Sequence, residues 1–385
     1  MAYVPNAQDP TEPTGDKFVA SAAPEFRTLK TFTGAVYDAQ LGFQAQLDAL
    51  QAAIGAGTNS VALAANLGAD GGSSLIGFKQ AGTGAVHQTA QDILRLEINV
   101  HNFGAVGDGV TDDTAKFNAA ILAATLAKAV VVSGDETYSV VVNCRRGTDY
   151  KIAGPILIPS GIILDLKGSR LIGSFAAGIS TAYVNGSASV IETGYYSAGA
   201  ITTNRAAPVA TQRVVGSGVM NGSIINANCA LNLINFNERS FIRNLEFQNC
   251  SAILRTKNCF YASFEKGMVR NSSQAANQYA ILLDGASNAM RFTDFFVNGT
   301  SRGWQADAIT LQAVIFENCS AEEAYVSNGV GPVDGVGLYI SASAVSCAGL
   351  NISGLYFEAV KWGMQFAAGC GIYGLVVSEI GRAHV

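Results

Sequence analysis

The sequence predicts an all-β chain folded as a solenoid of stacked parallel strands, a parallel β-helix. Three observations carry this. Asn228, Asn249, Asn271, Asn298 and Asn318 recur at steps of 21, 22, 27 and 20 residues, each followed by a small residue. Four of the five have an apolar residue two positions back (Phe247, Val269, Phe296, Phe316). Such a period marks a unit that cannot bury its own apolar face and stacks on the next. Short strand-type runs punctuate the same region: Ile156–Ile158, Ile162–Leu166, Ile224–Ile225, Ile281–Leu283, Ile309–Leu311, Leu338–Ile340 and Leu350–Ile352. Finally, 42 glycines and only 14% charged residues suit a chain of short strands and tight turns.

Residues 1–33 carry Pro5, Pro10, Pro13 and Pro24, little periodicity and no apolar core of a signal peptide. Ala20-Ser-Ala-Ala-Pro-Glu-Phe-Arg-Thr-Leu-Lys30 resembles the virion-attachment segment that opens many phage tail proteins. A disordered leader is the alternative. Residues 34–98 read as a helical neck and linker. Val36, Leu41, Phe43, Leu47, Leu50 and Ile54 recur at helical steps over 34–56, as a trimeric neck or as a helix packed on its own domain. The segment from Gly72 to His87 is similar to the linker that precedes the β-helix in tailspikes. Thr89 and Asp92 then stand at capping-box spacing before Ile93, Leu94 and Leu96.

Residues 99–121 read Asn-Val-His-Asn-Phe-Gly-Ala-Val-Gly-Asp-Gly-Val-Thr-Asp-Asp-Thr-Ala-Lys-Phe-Asn-Ala-Ala-Ile. A short strand enters a glycine-rich turn at Asp108, and a helix capped by Thr111 follows. Asp112 and Asp113 fall in its first turn, where carboxylates meet free N–H groups. Phe117 and Ile121, four apart, make its buried face. This stretch resembles the entry motif of the pectate-lyase superfamily as found in phage tailspikes. The resemblance implies a right-handed parallel β-helix over 99–379, with Asp108, Asp112 and Asp113 structural. It also implies a phage tailspike, a homotrimer on the virion tail. Its N-terminus would meet a tail or adaptor protein, and its coil would bind and depolymerise a bacterial surface polysaccharide, capsule or O-antigen.

With a net charge of −5 and no basic stripe, nucleic acid is not an expected partner. No run reaches the roughly 20 apolar residues of a membrane span. The seven cysteines contain no Cys-x-x-Cys and read as reduced, with Cys229, Cys250 and Cys319 inside the coil as small apolar groups. Only His87, His101 and His384 exist, without metal-ligand spacing, so neither a metal nor another cofactor is expected.

Glycan hydrolysis needs two carboxylates flanking the scissile bond. The densest supply is Asp307, Glu322, Glu323 and Asp334, the expected catalytic set, with Trp304, Tyr325 and Tyr339 as flat faces for sugar rings. Asp284, Asp294, Glu265 and Glu358 are weaker candidates, and Asp165, on an apolar strand, reads as a turn or register residue. The related polygalacturonases use Asn-x-Asp, Asp-Asp and Gly-His-Gly. This chain has no Gly-His-Gly, and its only Asp-Asp is the pair Asp112-Asp113, so that activity is disfavoured. A calcium-carboxylate cluster for lyase chemistry is not seen, and hydrolysis is the favoured reaction. The rival reading is a non-catalytic adhesin or structural tail protein that only holds glycan or a tail partner. A secreted pectin-degrading enzyme is a third, weaker option, given the leader. Residues 380–385, Ile-Gly-Arg-Ala-His-Val, equal the translation of a common sequencing adapter. They are expected to be an artefact closing an incomplete β-helix, with the catalytic pair in the missing part as an open alternative.

Overall fold

The computed structural model describes residues 24–55, 65–69, 71–79, 81–91, 97–131, 138–174, 189–203, 212–270, 279–299, 302–307, 310–322, 335–342, 344, 346–378 and 381–382. The chain divides into two compact units, Met1–Arg95 and Leu96–Val385. No helix among the described residues is long and apolar enough to cross a membrane.

In the first unit, helix α1 spans Pro24–Gly55. It begins ten residues before the expected start, because Pro24 is pre-set for a first helical position, where its missing N–H costs nothing. Val36, Leu41, Phe43, Leu47 and Leu50 are all exposed on it. Strands Gly77–Lys79 and His87–Thr89 pair antiparallel. Thr89 ends the hairpin directly before helical residues 90 and 91, while Asp92 lies outside the described residues.

The second unit opens with the Asp-rich turn. Asp108 Oδ1 accepts the Val110 and Thr111 amides at 2.8 and 2.7 Å, and Oδ2 accepts the Thr111 hydroxyl at 2.8 Å. Asp112 Oδ1 accepts the Thr114 hydroxyl at 2.6 Å and the Ala153 amide, one rung away, at 3.2 Å. Asp113 is fully buried and reaches backwards: Oδ1 accepts the Val106 amide at 2.7 Å and Oδ2 the Gly107 amide at 3.0 Å. The expected Thr111 cap is therefore corrected. Thr111 lies in strand Asp108–Asp112, helix α2 is Thr114–Val131, and neither Asp112 nor Asp113 is in its first turn. The physical reason is competition for the carboxylate. The glycine turn leaves two amides with no other partner, and a buried unpaired donor costs more than an end-of-helix N–H.

Helix α2 buries Phe117, Ala120, Ile121 and Ala124 completely and packs on strands Val140–Asn143 and Ile156–Ile158. Phe117 meets the Tyr150 ring edge-on at 5.0 Å. The helix thus covers the first rungs, where an open edge would otherwise pair with another chain.

The coils make three parallel sheets. The long sheet includes Ile162–Gly173, Gly218–Ile225, Phe241–Gln248, Ser263–Arg270, Arg291–Asn298, Ile315–Glu322 and Asn351–Glu358. A second sheet includes Ser189–Ser197, Cys229–Ile234, Ala252–Lys257, Tyr279–Asp284, Arg302–Ala306, Val336–Ile340 and Trp362–Phe366. A short sheet joins Ala286–Asn288, Thr310–Gln312, Ser346–Ala348 and Ile372–Tyr373. The predicted parallel β-helix is what forms.

Corners are set by columns of residues with left-handed backbone. Midway along the long sheet, Asn221, Asn244, Lys266, Asp294, Asn318 and Gly354 stack in register with φ from 49 to 67°. The residue after each points inward, as Leu245, Phe295, Cys319 and Leu355 do, all almost fully buried. At the end of these strands the column is Asn226, Asn249, Gly299 and Ala359.

The expected single asparagine ladder is corrected accordingly. Asn249 donates to Asn226 Oδ1 at 3.4 Å, not to Asn228, which already leads into the second sheet. Asn298 is one residue short of the column position held by Gly299, Asn318 belongs to the mid-strand column, and Asn271 lies outside the described residues. Insertions between strands change sequence spacing without changing register, so equal spacing does not mean equal position. The recurrence of Phe-x-Asn-Cys at 247–250 and 316–319 reflects a shared local rule, a left-handed Asn followed by an inward Cys, at two different corners.

All seven cysteines are free, and six are buried. Cys250 and Cys319 lie in the interior core, but Cys229 does not. It packs with Ala252 and Tyr279 in a separate cluster, a correction to its expected interior place. The interior is threaded by a phenylalanine stack, Phe264 on Phe292 at 4.6 Å and Phe292 on Phe316 at 5.3 Å.

Candidate functional site

The second sheet carries chemistry on its outward face. In Arg302–Ala306, Gly303 and Trp304 both point inward. A Cβ on Gly303 would stand 2.8 Å from the Ala321 side chain, and Trp304 is fully buried against Phe292, Phe295 and Phe316. Arg302, Gln305 and Asp307 are left facing out. Register extends this into columns across the rungs. One holds Glu192, Asn232, Arg255, Leu282, Gln305 and Tyr339. Another holds Lys257, Asp284 and Asp307, since the Asp307 amide donates to Leu283 O at 2.9 Å and continues the ladder.

These side chains hold one another. Arg255, 4% exposed, donates to Asp284 Oδ2 at 2.6 Å, and the Gly285 amide donates to Asp284 Oδ1 at 2.7 Å. Arg302 donates to Gln305 Oε1 at 2.8 Å, Gln305 donates to Asp307 Oδ2 at 2.8 Å, and the Arg302 guanidinium lies 4.1 Å from the centre of the Tyr339 ring. Glu192, 1% exposed, accepts the Ser189 amide at 3.1 Å and the Thr203 hydroxyl at 3.0 Å from the hairpin strand Ala200–Thr203. The buried Asn232 Oδ1 has no hydrogen-bond partner among the described residues. Beside this row, burial pushes the Cys229 thiol up to about 12. The face thus offers an aromatic ring, guanidinium and amide donors, and two carboxylates on neighbouring rungs, which a polyhydroxylated ligand can engage.

Of the residues expected from sequence, the structure brings together Asp307 and Tyr339. Glu322 ends a long-sheet strand beside Tyr356 and Glu358. Glu323, Tyr325 and Asp334 lie outside the described residues. Trp304 cannot serve as a sugar platform, because its indole is 0% exposed inside the coil. Sequence reasoning missed Arg255, Arg302, Gln305, Asn232 and Glu192, and ranked Asp284 low. The available signal was a polar residue between two apolar ones in a strand-type run, as in Leu231-Asn-Leu233 and Trp304-Gln-Ala306. Among the described residues no group of three or more His, Cys, Asp and Glu could hold a metal ion.

Parallel coils of this kind, with left-handed corners and a helix over the first rung, define a right-handed parallel β-helix of the pectate-lyase type. Residues 97–336 match the family model for rhamnogalacturonase A/epimerase, pectate lyase-like proteins, and the chain belongs to that family. No curated protein matches it by sequence. Among solved structures, the chain is similar to a double mutant of the tailspike protein of E. coli bacteriophage HK620, with 13% identity over 83% of this chain and 69% of that one and a TM-score of 0.49. A mutant of the same tailspike in complex with pentasaccharide aligns at 12% identity over 84% of this chain and 72% of that one, TM-score 0.46. PfbA, a surface adhesin of Streptococcus pneumoniae, aligns at 15% identity over 74% and 78%, TM-score 0.43.

Proposed function

We propose that this protein is a phage tailspike that binds a bacterial surface polysaccharide along the outward face of the second sheet and hydrolyses it there. The observation that carries the reading is the placement of Asp284 and Asp307 on neighbouring rungs, beside Arg255, Gln305 and Tyr339. Neighbouring rungs start roughly 4.8 Å apart at the backbone. Retaining glycoside hydrolases hold their carboxyl groups about 5–5.5 Å apart, one as acid and base and the other as nucleophile. In this reading Asp284 and Asp307 are that pair, Arg255 and Gln305 hold the two carboxylates in place, and Arg302 on Tyr339 borders the site. Glu322, Glu323 and Asp334, with Tyr325, stay further candidates on the sequence argument alone.

The virion setting rests on the resemblance of residues 20–30, 72–87 and 99–121 to tailspike segments. A homotrimer with an N-terminal tail or adaptor contact is supported by the exposed apolar positions of α1, spaced at helical steps. The test is incubation with a panel of capsular and O-antigen glycans, reading reducing-end release and the ultraviolet absorbance of unsaturated uronates. New reducing ends without that absorbance support hydrolysis. The absorbance indicates a lyase, and binding without shortening makes the protein an adhesin.

A further inference from the structure

Gln305 stands between two charged side chains, and only one orientation of its amide satisfies both. It faces out from strand Arg302–Ala306, between the inward Trp304 and Ala306, and is 8% exposed. Arg302 donates to Gln305 Oε1 at 2.8 Å, and Gln305 Nε2 donates to Asp307 Oδ2 at 2.8 Å. A guanidinium carries donors and no acceptor, whereas an ionised carboxylate only accepts. Turning the amide over would set its NH2 group against the guanidinium and its carbonyl against the carboxylate, and both bonds would be lost. Leu282, the register partner of Gln305 on the preceding rung, has no polar side-chain atom to replace either. A polar group this far from water is costly to leave unpaired, so Arg302 decides which face of the amide Asp307 meets.

Arg302 is itself held. Its guanidinium lies 4.1 Å from the centre of the Tyr339 ring, and Tyr339 is the register partner of Gln305 on the following rung. Attraction to the ring face fixes the place of the cation. The line from Tyr339 through Arg302 and Gln305 thus ends on Asp307 with Oδ2 pinned, which restricts rotation of the carboxylate about its Cβ–Cγ bond. Asp284, one rung away, is held directly by Arg255 at 2.6 Å. Asp307 is held by a guanidinium at one amide's remove.

We infer that Arg302 and Tyr339 are positioning residues, which aim the Asp307 carboxylate by fixing the direction of the Gln305 amide. This rests on the reading of Asp307 as one of the two carboxylates that cleave glycan.

The experiment pairs kinetics on a cleaved glycan with NMR of the Gln305 side-chain amide in the deuterated, ¹⁵N-labelled full chain. The amide signals are identified by their absence in Gln305→Glu. Arg302→Met should lower kcat roughly 10- to 100-fold, the scale of a misplaced catalytic group, with KM within about twofold of wild type. Added guanidinium ions, at concentrations that leave the fold intact, should restore part of that loss. Gln305→Glu keeps the acceptor for Arg302 but turns a carboxylate oxygen on Asp307, and should lose kcat as Arg302→Met does. Tyr339→Phe keeps the ring face and should lose less than Tyr339→Ala. In Arg302→Met the Gln305 amide protons should exchange with water roughly tenfold faster. Faster exchange in a protein that shortens no glycan supports the fixed amide and removes the cleavage reading instead. Unchanged exchange in Arg302→Met overturns the inference. So does a kcat within about twofold of wild type in that variant on a glycan that wild type cleaves. A lost kcat with a lowered thermal midpoint and no guanidinium rescue makes Arg302 merely structural and overturns it as well.

Discussion

The carboxylate of Asp113 closes a loop onto Val106, taking its amide at 2.7 Å while fully buried. The same group takes Gly107, whose φ of 72° and tight fit against Thr148 leave no room for a side chain. One residue therefore fixes the turn, and its own carbonyl accepts the first amides of α2, from Lys116 and Phe117.

Asp113→Ala removes the buried carboxylate that holds the part-buried Val106 and Gly107 amides. The expected loss is about 2–4 kcal/mol, since each donor left unsatisfied costs ~1–3 kcal/mol. Asp112→Ala, at a more exposed position, should cost about 1 kcal/mol. Urea unfolding followed by circular dichroism measures both, and equal stability of Asp113→Ala and wild type would contradict the assignment.

Asp108 governs acid behaviour. Amides of Thr111 and Val110 hold its carboxyl at about 2, well below the ordinary carboxylate range. Thr114 and Ala153 lower Asp112 against the opposing effect of burial, and Arg170 lowers Asp149. Each binds its proton more weakly folded than unfolded, so its stabilisation is complete above the unfolded value near 4 and is lost as pH falls through the folded one. Stability should decline from about pH 4 towards pH 2, and Asp108→Asn should flatten that slope. A chemical-denaturation series across this range reads it directly, and an unchanged slope in Asp108→Asn would exclude the role.

Asn244 combines a left-handed backbone, φ 53°, with a side-chain bond to Asn221 Oδ1 at 3.0 Å. Asn244→Val should destabilise by roughly 1–2 kcal/mol from backbone strain alone. Asn244→Gly should stay within about 1 kcal/mol of wild type, because the amide bond it loses is exposed. Thermal unfolding of the two variants should rank them in that order.

Thiol reactivity should follow burial. Burial pushes Cys229, Cys250 and Cys259 up to about 12, and Cys319 and Cys347 up to about 11. The thiolate is the reactive form, so these are expected to label only on unfolding, while the half-exposed Cys370 labels first. Mass spectrometry after a brief native exposure to iodoacetamide should show one modified site, and prompt labelling of Cys250 would contradict the packing.

On a cleavable glycan, Asp284→Asn and Asp307→Asn should each lower turnover by roughly 10²–10⁴-fold, the range for removing an acid–base group. Thermal midpoints should move little for Asp307→Asn, whose partner Gln305 is neutral. Near-wild-type turnover in both variants would move the chemistry elsewhere on the coil.

The sequence by itself determined the solenoid, because strand-type runs, inward cysteines after asparagine and a long entry motif are local patterns that survive insertions. It also determined which aspartates crowd the entry turn, though not which amides they serve, since Val106 and Ala153 come to them only when the turn folds back and the next rung stacks. Tertiary structure decided the rest. Whether Trp304 faces in or out depends on the irregularity at Gly303-Trp304, which puts two consecutive residues inside and reverses the alternation that a regular strand would give. Whether Asn318 stacks with Asn249 depends on register, which loop insertions hide from spacing. The juxtaposition of Arg255, Asp284 and Asp307 is legible only across rungs, because residues more than twenty positions apart in sequence become neighbours at one inter-strand spacing.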